Sequence, residues 1–376
     1  MFGKRIDLFR ILGFEVRIDL SWVIVAILIA WSLSTGVFPF RHEGLSAQTY
    51  WTMGILGAIG LFLSIIFHEM SHSLVARKFG IAIKGITLFI FGGVAEMKQE
   101  PPSPKAEFFM AAAGPLSSLL LALMFYALSQ LARNAGWPEP VDGILRYLAW
   151  INGMLAVFNL VPAFPLDGGR ILRSVLWGWK KNLRWATRIA AGIGSGFGLV
   201  LIFLGFLQFF SGNFIGGMWW FFIGMFLRGA AGMSYRQLLV RRALEGEPVR
   251  RFMKPDPVTV SPSATLEELA EDYIYRYQFK LFPVVDKGNQ LLGCVTIKMI
   301  KEIPRKEWSR KTVGEIVVGC SPENTIDSQA DAMEALSLMN RTGSSRIMVT
   351  EENRLVGILS LKDMLSFLDL KVELEP

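Results

Sequence analysis

Residues 61–78 read LFLSIIFHEMSHSLVARK, and the reading of this stretch governs that of the whole chain. It closes an apolar run from about residue 50 to 76, and a bilayer needs only about 20 such residues to be crossed. Near the end of the run stands His68-Glu69-Met70-Ser71-His72. On a helix, residues i and i+4 share a face, so both imidazoles can reach one cation while Glu69 is left to handle the proton of a water. Ionisable groups inside a span are costly and usually mark a functional site. The chain has only three histidines in 376 residues, and two of them sit in this motif. The competing reading is a polar network between helices with no metal.

Composition divides the chain in the same sense. Residues 1–248 hold 22 Lys+Arg and 13 Asp+Glu, whereas residues 249–376 hold 17 and 19. Thirty-five charges cannot give 248 residues an aqueous surface all round, so the first part is expected in a bilayer and disorder is excluded. The second part has the balance of a soluble unit. The pI near 9.4 therefore reflects the membrane part and implies no direct nucleic-acid partner. Cys294 and Cys320 both lie in the soluble part, which fits a reducing compartment better than a disulfide framework.

Spans are expected at roughly 20–39, 50–76, 107–131, 146–162, 187–210 and 214–232. Six spans place both termini on one side. With the N-terminus inside, Lys4, Arg5, Arg10 and Arg17, then Arg77, Lys78, Lys84, Lys98 and Lys105, then Arg170, Arg173, Lys180, Lys181, Arg184 and Arg188 all face the cytoplasm. The outer segments keep only Arg41, Arg133 and Arg146, so the positive-inside rule puts the N-terminus and the tail in the cytoplasm of a cell-membrane protein. No cleavable signal peptide is expected, because Arg5 to Asp19 alternates and reads as a hairpin about Gly13. Ile81 to Ala95, rich in β-branched residues and broken at Gly92-Gly93, reads as a re-entrant β-loop beside a cavity, an amphipathic cytoplasmic hairpin being the alternative. Gly192, Gly194, Gly196 and Gly198 miss the dinucleotide pattern and read as GxxxG helix packing.

The tail repeats itself at an offset of 64: LLGCVTIKMI about Gly293 matches LVGILSLKDM about Gly357, and VRRFM at Val249 matches VGEIV at Val313. Each copy is read as a lead-in, a helix (Thr265 to Tyr275; Ser328 to Asn340), a strand (Leu281 to Val285; Arg346 to Thr350), a second strand and a closing helix. Units of 249–311 and 312–376 are too small to bury a sheet alone and are expected to pair. The fold class is thus a polytopic α-helical membrane protein of about six spans with a re-entrant β-loop (1–248), followed by a soluble α/β tandem repeat.

A catalytic zinc needs a third protein ligand and an open position. Glu96, 24 residues after His72, His42 in an outer loop, and Asp167 in NLVPAFPLDGGR (159–170) are the candidates. Topology favours Asp167, which emerges on the same side as the end of the HEMSH helix. Pro162, Pro165, Gly168 and Gly169 interrupt the helix there and stiffen the turn.

With HEMSH in a span, NLVPAFPLDGGR later and Ala113-Gly114-Pro115 opening the third span, the chain resembles the site-2 protease family of intramembrane zinc metalloproteases. Its tail resembles a tandem cystathionine-β-synthase (CBS) domain pair. The resemblance implies one zinc ion on His68, His72 and Asp167, Glu69 as the catalytic glutamate, and Asn159 assisting alignment of substrate or transition state. It also implies that the loop ending at Gly92-Gly93 receives an unwound substrate segment as an added strand. Where the family often has an Asn after Gly-Pro, Ser117 and Ser118 stand, which weakens any specific role for that helix but not the zinc site. CBS pairs bind adenine nucleotides through a Ser/Thr-x-x-Asp pattern. The second copy has it at Ser360 and Asp363, near Thr342, while the first copy has Thr296 and Met299 and lacks the carboxylate. The expected substrate is a membrane-spanning protein, and a homodimer through the CBS pair is a further expectation. The alternatives are a CBS-gated transporter or channel with a histidine ion site, and an inactive scaffold that keeps its metal.

Overall fold

The computed structural model describes residues 5–81, 83–89, 92–97 and 100–374. The chain forms two compact units, Met1–Tyr235 and Arg236–Pro376.

Six helices of the first part are long and apolar enough to cross a membrane: α1 (Leu20–Arg41), α2 (Ala47–Lys78), α3 (Pro104–Asn134), α4 (Glu139–Asn159), α6 (Leu183–Phe210) and α7 (Phe214–Leu244). All six coincide with expected spans. Their outward faces carry exposed apolar side chains such as Ile27, Leu63, Leu123 and Phe203, as a lipid-facing surface requires. Local signals set the ends. Ser46 caps α2 by accepting from Thr49 N, and Ser103 caps α3 by accepting from Ala106 N, each satisfying one orphaned donor of a first turn. Arg77 and Lys78 close α2, where cations complement the helix dipole. The GxxxG reading holds in part: a Cβ on Gly198 would lie 2.7 Å from Gly224 O of α7, but one on Gly194 would lie 2.0 Å from Phe164 O in the turn after α4, and Gly192 and Gly196 have nothing within 4 Å.

One helix was not foreseen. The proline-containing turn after α4 ends at Leu166, and α5 (Asp167–Lys180) follows at once. Gly168 and Gly169 therefore do not interrupt a helix; they lie in its first turn. Their role is steric, because a Cβ at Gly168 would fall 2.2 Å from Leu160 O and one at Gly169 2.3 Å from Phe164 N. The missing side chains let α5 start hard against the turn.

The expected hairpins are β1 (Arg5–Ile11) with β2 (Phe14–Asp19), and β3 (Ile83–Phe89) with β4 (Gly92–Met97). Gly13, at φ +87°, makes the first turn. The two hairpins join: β2 runs parallel to β3, with Val16 opposite Ile86 and Ile18 opposite Leu88, giving the order β1-β2-β3-β4. Val16, Ile18, Ile86 and Leu88 bury one face of this sheet against Ile66 and Met70 of α2. The sheet is thereby fixed to the turns of α2 that carry the histidines.

In the second unit the strands are β5 (Lys254–Pro255), β6 (Leu281–Val285), β7 (Leu291–Thr296), β8 (Val318–Gly319), β9 (Thr325–Asp327), β10 (Arg346–Glu351) and β11 (Arg354–Ser360). The sheets are β6-β7-β8 and β5-β11-β10-β9. Each lead-in strand crosses over, β5 into the sheet of the second copy and β8 into that of the first, so the copies are paired by exchange. Helices α8 (Ile297–Lys301), α9 (Ala332–Thr342) and α10 (Leu361–Leu374) complete them, with a helical segment over Leu266–Tyr275 that is largely π-helical. The helix expected from Ser328 begins four residues later, because Asp331 caps it by accepting from Met333 N. Ala243 and Leu244 are buried with Val249 and Phe252 in the core of the second copy. The compact unit thus starts at Arg236, earlier than the composition shift at 248.

Candidate metal centre

His68 and His72 lie one turn apart on α2, and Asp167 is the first residue of α5. The fold brings these three together. His68 Nε2 and His72 Nε2 are 3.2 Å apart, and each is 3.2 Å from Asp167 Oδ2. All three side chains are buried, and they are the one His/Cys/Asp/Glu group of this kind among the described residues. Around zinc, ligand atoms at about 2.0–2.1 Å in tetrahedral directions stand about 3.3 Å from one another. The triangle matches that edge, so the donor set and spacing of three protein ligands fit a catalytic zinc ion.

Neighbouring groups aim both rings. His72 Nδ1–H donates to Met110 O at 2.6 Å, and His68 Nδ1 is 2.8 Å from Ser118 Oγ. A carbonyl can only accept, so His72 carries a proton on Nδ1, and Nε2 is the nitrogen that faces Asp167. Both partners belong to α3. That helix passes so close to the rings that a Cβ on Gly114 would sit 2.1 Å from His72 Nε2 and 2.6 Å from His68 Nε2. Only a glycine allows this approach, which explains Gly114 in Ala113-Gly114-Pro115. The third span has a part despite the missing Asn: Ser118 supports His68. Nothing in the sequence marked it, because the contact depends on how α3 is rotated against α2.

Glu69 is partly buried on the same stretch of α2, and the charges that act on it are those of His72, His68, Asp167 and Arg170. It adjoins the centre without joining the triangle. Asn159, the last residue of α4, makes no hydrogen bond to the triangle among the described residues. His42 pairs with Glu139 Oε1 at 2.9 Å; it precedes α2, whereas His68 lies 21 residues into that helix, about 30 Å along the axis. His42 is therefore no ligand of this centre. The side chain of Glu96 lies outside the described residues.

A buried ion pair stands behind the centre. Arg173, assigned above to a cytoplasmic loop, is 4% exposed and paired with Glu107 of α3, itself 0% exposed.

In the tail, Asp363 accepts from Ser360 Oγ at 2.5 Å and pairs with Lys254 Nζ at 3.2 Å. Thr342 Oγ1–H donates back to Leu338 O at 2.9 Å. Pairing of Arg346 with Ser360 and the bond from Leu361 N to Ser345 O bring the end of α9 and the start of α10 to one end of the sheet. Lys254 escaped notice in the sequence because it reaches Asp363 through strand exchange.

The sequence model of peptidase family M50 matches residues 56–141 and 135–204, and that of the CBS domain matches 249–305 and 313–370. A zinc metalloprotease of Methanocaldococcus jannaschii is 32% identical over 380 residues, spanning 98% of both chains. This chain belongs to peptidase family M50. The M50 protein is also 33% identical to the Rip3 protein of Mycobacterium tuberculosis over 370 residues, covering 97% of this chain and 93% of that one. A solved structure, the site-2 protease from Methanocaldococcus jannaschii, shares 31% identity, with a TM-score of 0.43, over 61% of this chain and 94% of its own. The M50 protein is accordingly a multi-pass membrane zinc metalloprotease with a tandem CBS tail. The transporter reading falls with that membership.

Proposed function

We propose that this M50 protein hydrolyses peptide bonds within the transmembrane segments of membrane-anchored proteins, and that His68, His72 and Asp167 hold its zinc. The observation that carries the reading is the buried 3.2 Å triangle of two imidazole nitrogens and one carboxylate oxygen. Zinc bound there would supply a Lewis acid that polarises the scissile carbonyl and lowers the pKa of a water toward 7.

The chain's own groups do the rest. Glu69 takes a proton from the attacking water and delivers it to the leaving amine as the C–N bond breaks. Asn159 offers an amide N–H to the oxyanion that develops on the carbonyl oxygen. A substrate helix hides its peptide bonds in intrahelical hydrogen bonds, so it must unwind before cleavage. Strand β4 ends the four-stranded sheet and can offer the unwound segment new backbone partners. Membrane-tethered transcriptional regulators and remnant signal peptides are the substrate classes that fit. With the basic loops inward, the N-terminus and tail are cytoplasmic.

In the tail, with its repeats read as 249–311 and 312–376, an adenine nucleotide would bind beside Thr342, Ser360 and Asp363. The ribose would meet Asp363, and Lys254 would stand ready for phosphate. The paired repeats would also provide a homodimer contact. The test of the main reading is Glu69→Gln in the purified protein, reconstituted with a membrane-spanning substrate. The expected result is a loss of cleavage by about 10²-fold or more with zinc retained; undiminished cleavage would sink the mechanism.

A further inference from the structure

We infer that Arg173 and Glu107 form a positioning latch for the metal centre, a buried ion pair that sets the helix carrying Asp167 against the helix that aims both histidines. The inference rests on the assignment of His68, His72 and Asp167 as the zinc ligands. Arg173 lies on α5 six residues after Asp167, about 9 Å along the axis. Its Nε–H donates to Glu107 Oε1 at 2.6 Å, and its Nη2 reaches the same oxygen. Nη2 also lies 3.3 Å from Glu100 Oε2. The guanidinium sits over the ring of Phe164, 5.1 Å from its centroid. One side chain thereby grips α3, the segment that leads into α3, and the turn that delivers Asp167.

Glu107 stands three residues before Met110, whose carbonyl orients His72, and seven before Gly114, which abuts both imidazoles. The pair thus joins the two elements whose relative placement defines the triangle. The Asp167 carboxylate is short and begins its helix, so a small rotation or slide of α5 would move Oδ2 directly. A planar, forked guanidinium resists such sliding better than a point charge on a flexible stem.

Stability alone is a poor explanation of the pair. Removing two charges from water costs much of what their attraction returns, and apolar pairs of similar volume commonly serve as well or better. Glu107 Oε2, moreover, is buried with no hydrogen-bond partner among the described residues. What charge and fork supply, and an apolar contact does not, is one fixed register between α3 and α5.

The experiment separates register from stability. The full-length protein is purified as the double variant Glu107→Met/Arg173→Met, as Arg173→Lys and as Asp167→Asn. Zinc affinity is measured by chelator competition, the visible spectrum after replacing zinc with cobalt(II) is recorded, and the melting temperature is followed. The double variant is expected to stay folded, with any fall in melting temperature coming from Glu100 and Arg170, which lose a neighbour, to bind zinc roughly 10–100-fold more weakly, as for loss of groups that orient metal ligands, and to shift the cobalt bands. Arg173→Lys, which keeps the charge and loses the fork, is expected to fall between. Wild-type zinc affinity and an unchanged cobalt spectrum in the double variant would overturn the latch. Should that variant not fold, Arg173→Lys decides alone, and wild-type affinity and spectrum there would overturn it equally. Asp167→Asn tests the ligand set separately: undiminished zinc binding in it rejects the assignment on which the latch rests, whatever the other variants do.

Discussion

The metal centre in the membrane unit and the candidate nucleotide site in the tail use similar polar groups in opposite ways. Around His68, His72 and Asp167, three side chains from two helices turn their ligand atoms on one point, and Ser118 and Met110 bond the far side of the two rings. The polar atoms near Asp363 are already engaged with one another: Ser360 and Lys254 hold the carboxylate, and Thr342 is tied to its own helix. The first arrangement suits a cation, which three converging donor atoms would share; the second is satisfied without a ligand. A nucleotide bound there would have to displace internal bonds in the tail, as a reversible regulator would, whereas a zinc ion on the triangle would sit among groups already turned toward one another.

The variants that break this contrast rank by how directly they touch the triangle. Asp167→Asn removes the one anionic ligand, and zinc content measured after dialysis is expected to fall to background with cleavage abolished. Gly114→Ala drives a methyl group into both imidazoles. Its strain cost is about 1–3 kcal/mol, in line with overpacking elsewhere, and zinc affinity should drop further than for any change outside the triangle. Ser118→Ala takes away the partner of His68 Nδ1, and a loss of about 10–100-fold in zinc affinity with little change in melting is expected. These three leave the tail untouched, and unfolding of the second unit should not respond to them.

The smallest effect lies in the tail and concerns pH. Glu315, in an exposed capping box, has its carboxyl held below the usual range by the N–H and hydroxyl of Thr312. A depressed folded value means stabilisation that is present above the ordinary glutamate value near 4.3 and is lost as pH falls through the lowered one. Glu315→Gln should therefore melt slightly below wild type at pH 7, and the two curves should merge in acid.

How much of this was legible in the sequence follows from the physics of each element. Spans show themselves because a bilayer demands an unbroken apolar length, and His68 and His72 because a helix turns a spacing of four into a shared face. Asp167 could be chosen on topology, since the sidedness of α4 follows from counting spans. The joining of β2 to β3 could not, because it pairs Val16 with Ile86 across two intervening helices. Two-residue strands such as β5 and β8 carry no periodicity, so their exchange between repeats left no trace. Arg173 counts in the sequence only as a positive-inside marker, and its partner, the buried Glu107, shows itself only in the fold. Ser118, Gly114 and Lys254 likewise acquire meaning only from their neighbours in space.

The central claim is that one zinc ion is held by two imidazoles and one carboxylate within the membrane unit. Zinc X-ray absorption fine structure of the purified full-length protein tests it most directly. The account predicts a shell of nitrogen and oxygen at about 2.0–2.1 Å with the outer-shell scattering of two imidazole rings and no sulfur. A sulfur shell near 2.3 Å, which would point to Cys294 or Cys320, or a count of one imidazole or three, would contradict it.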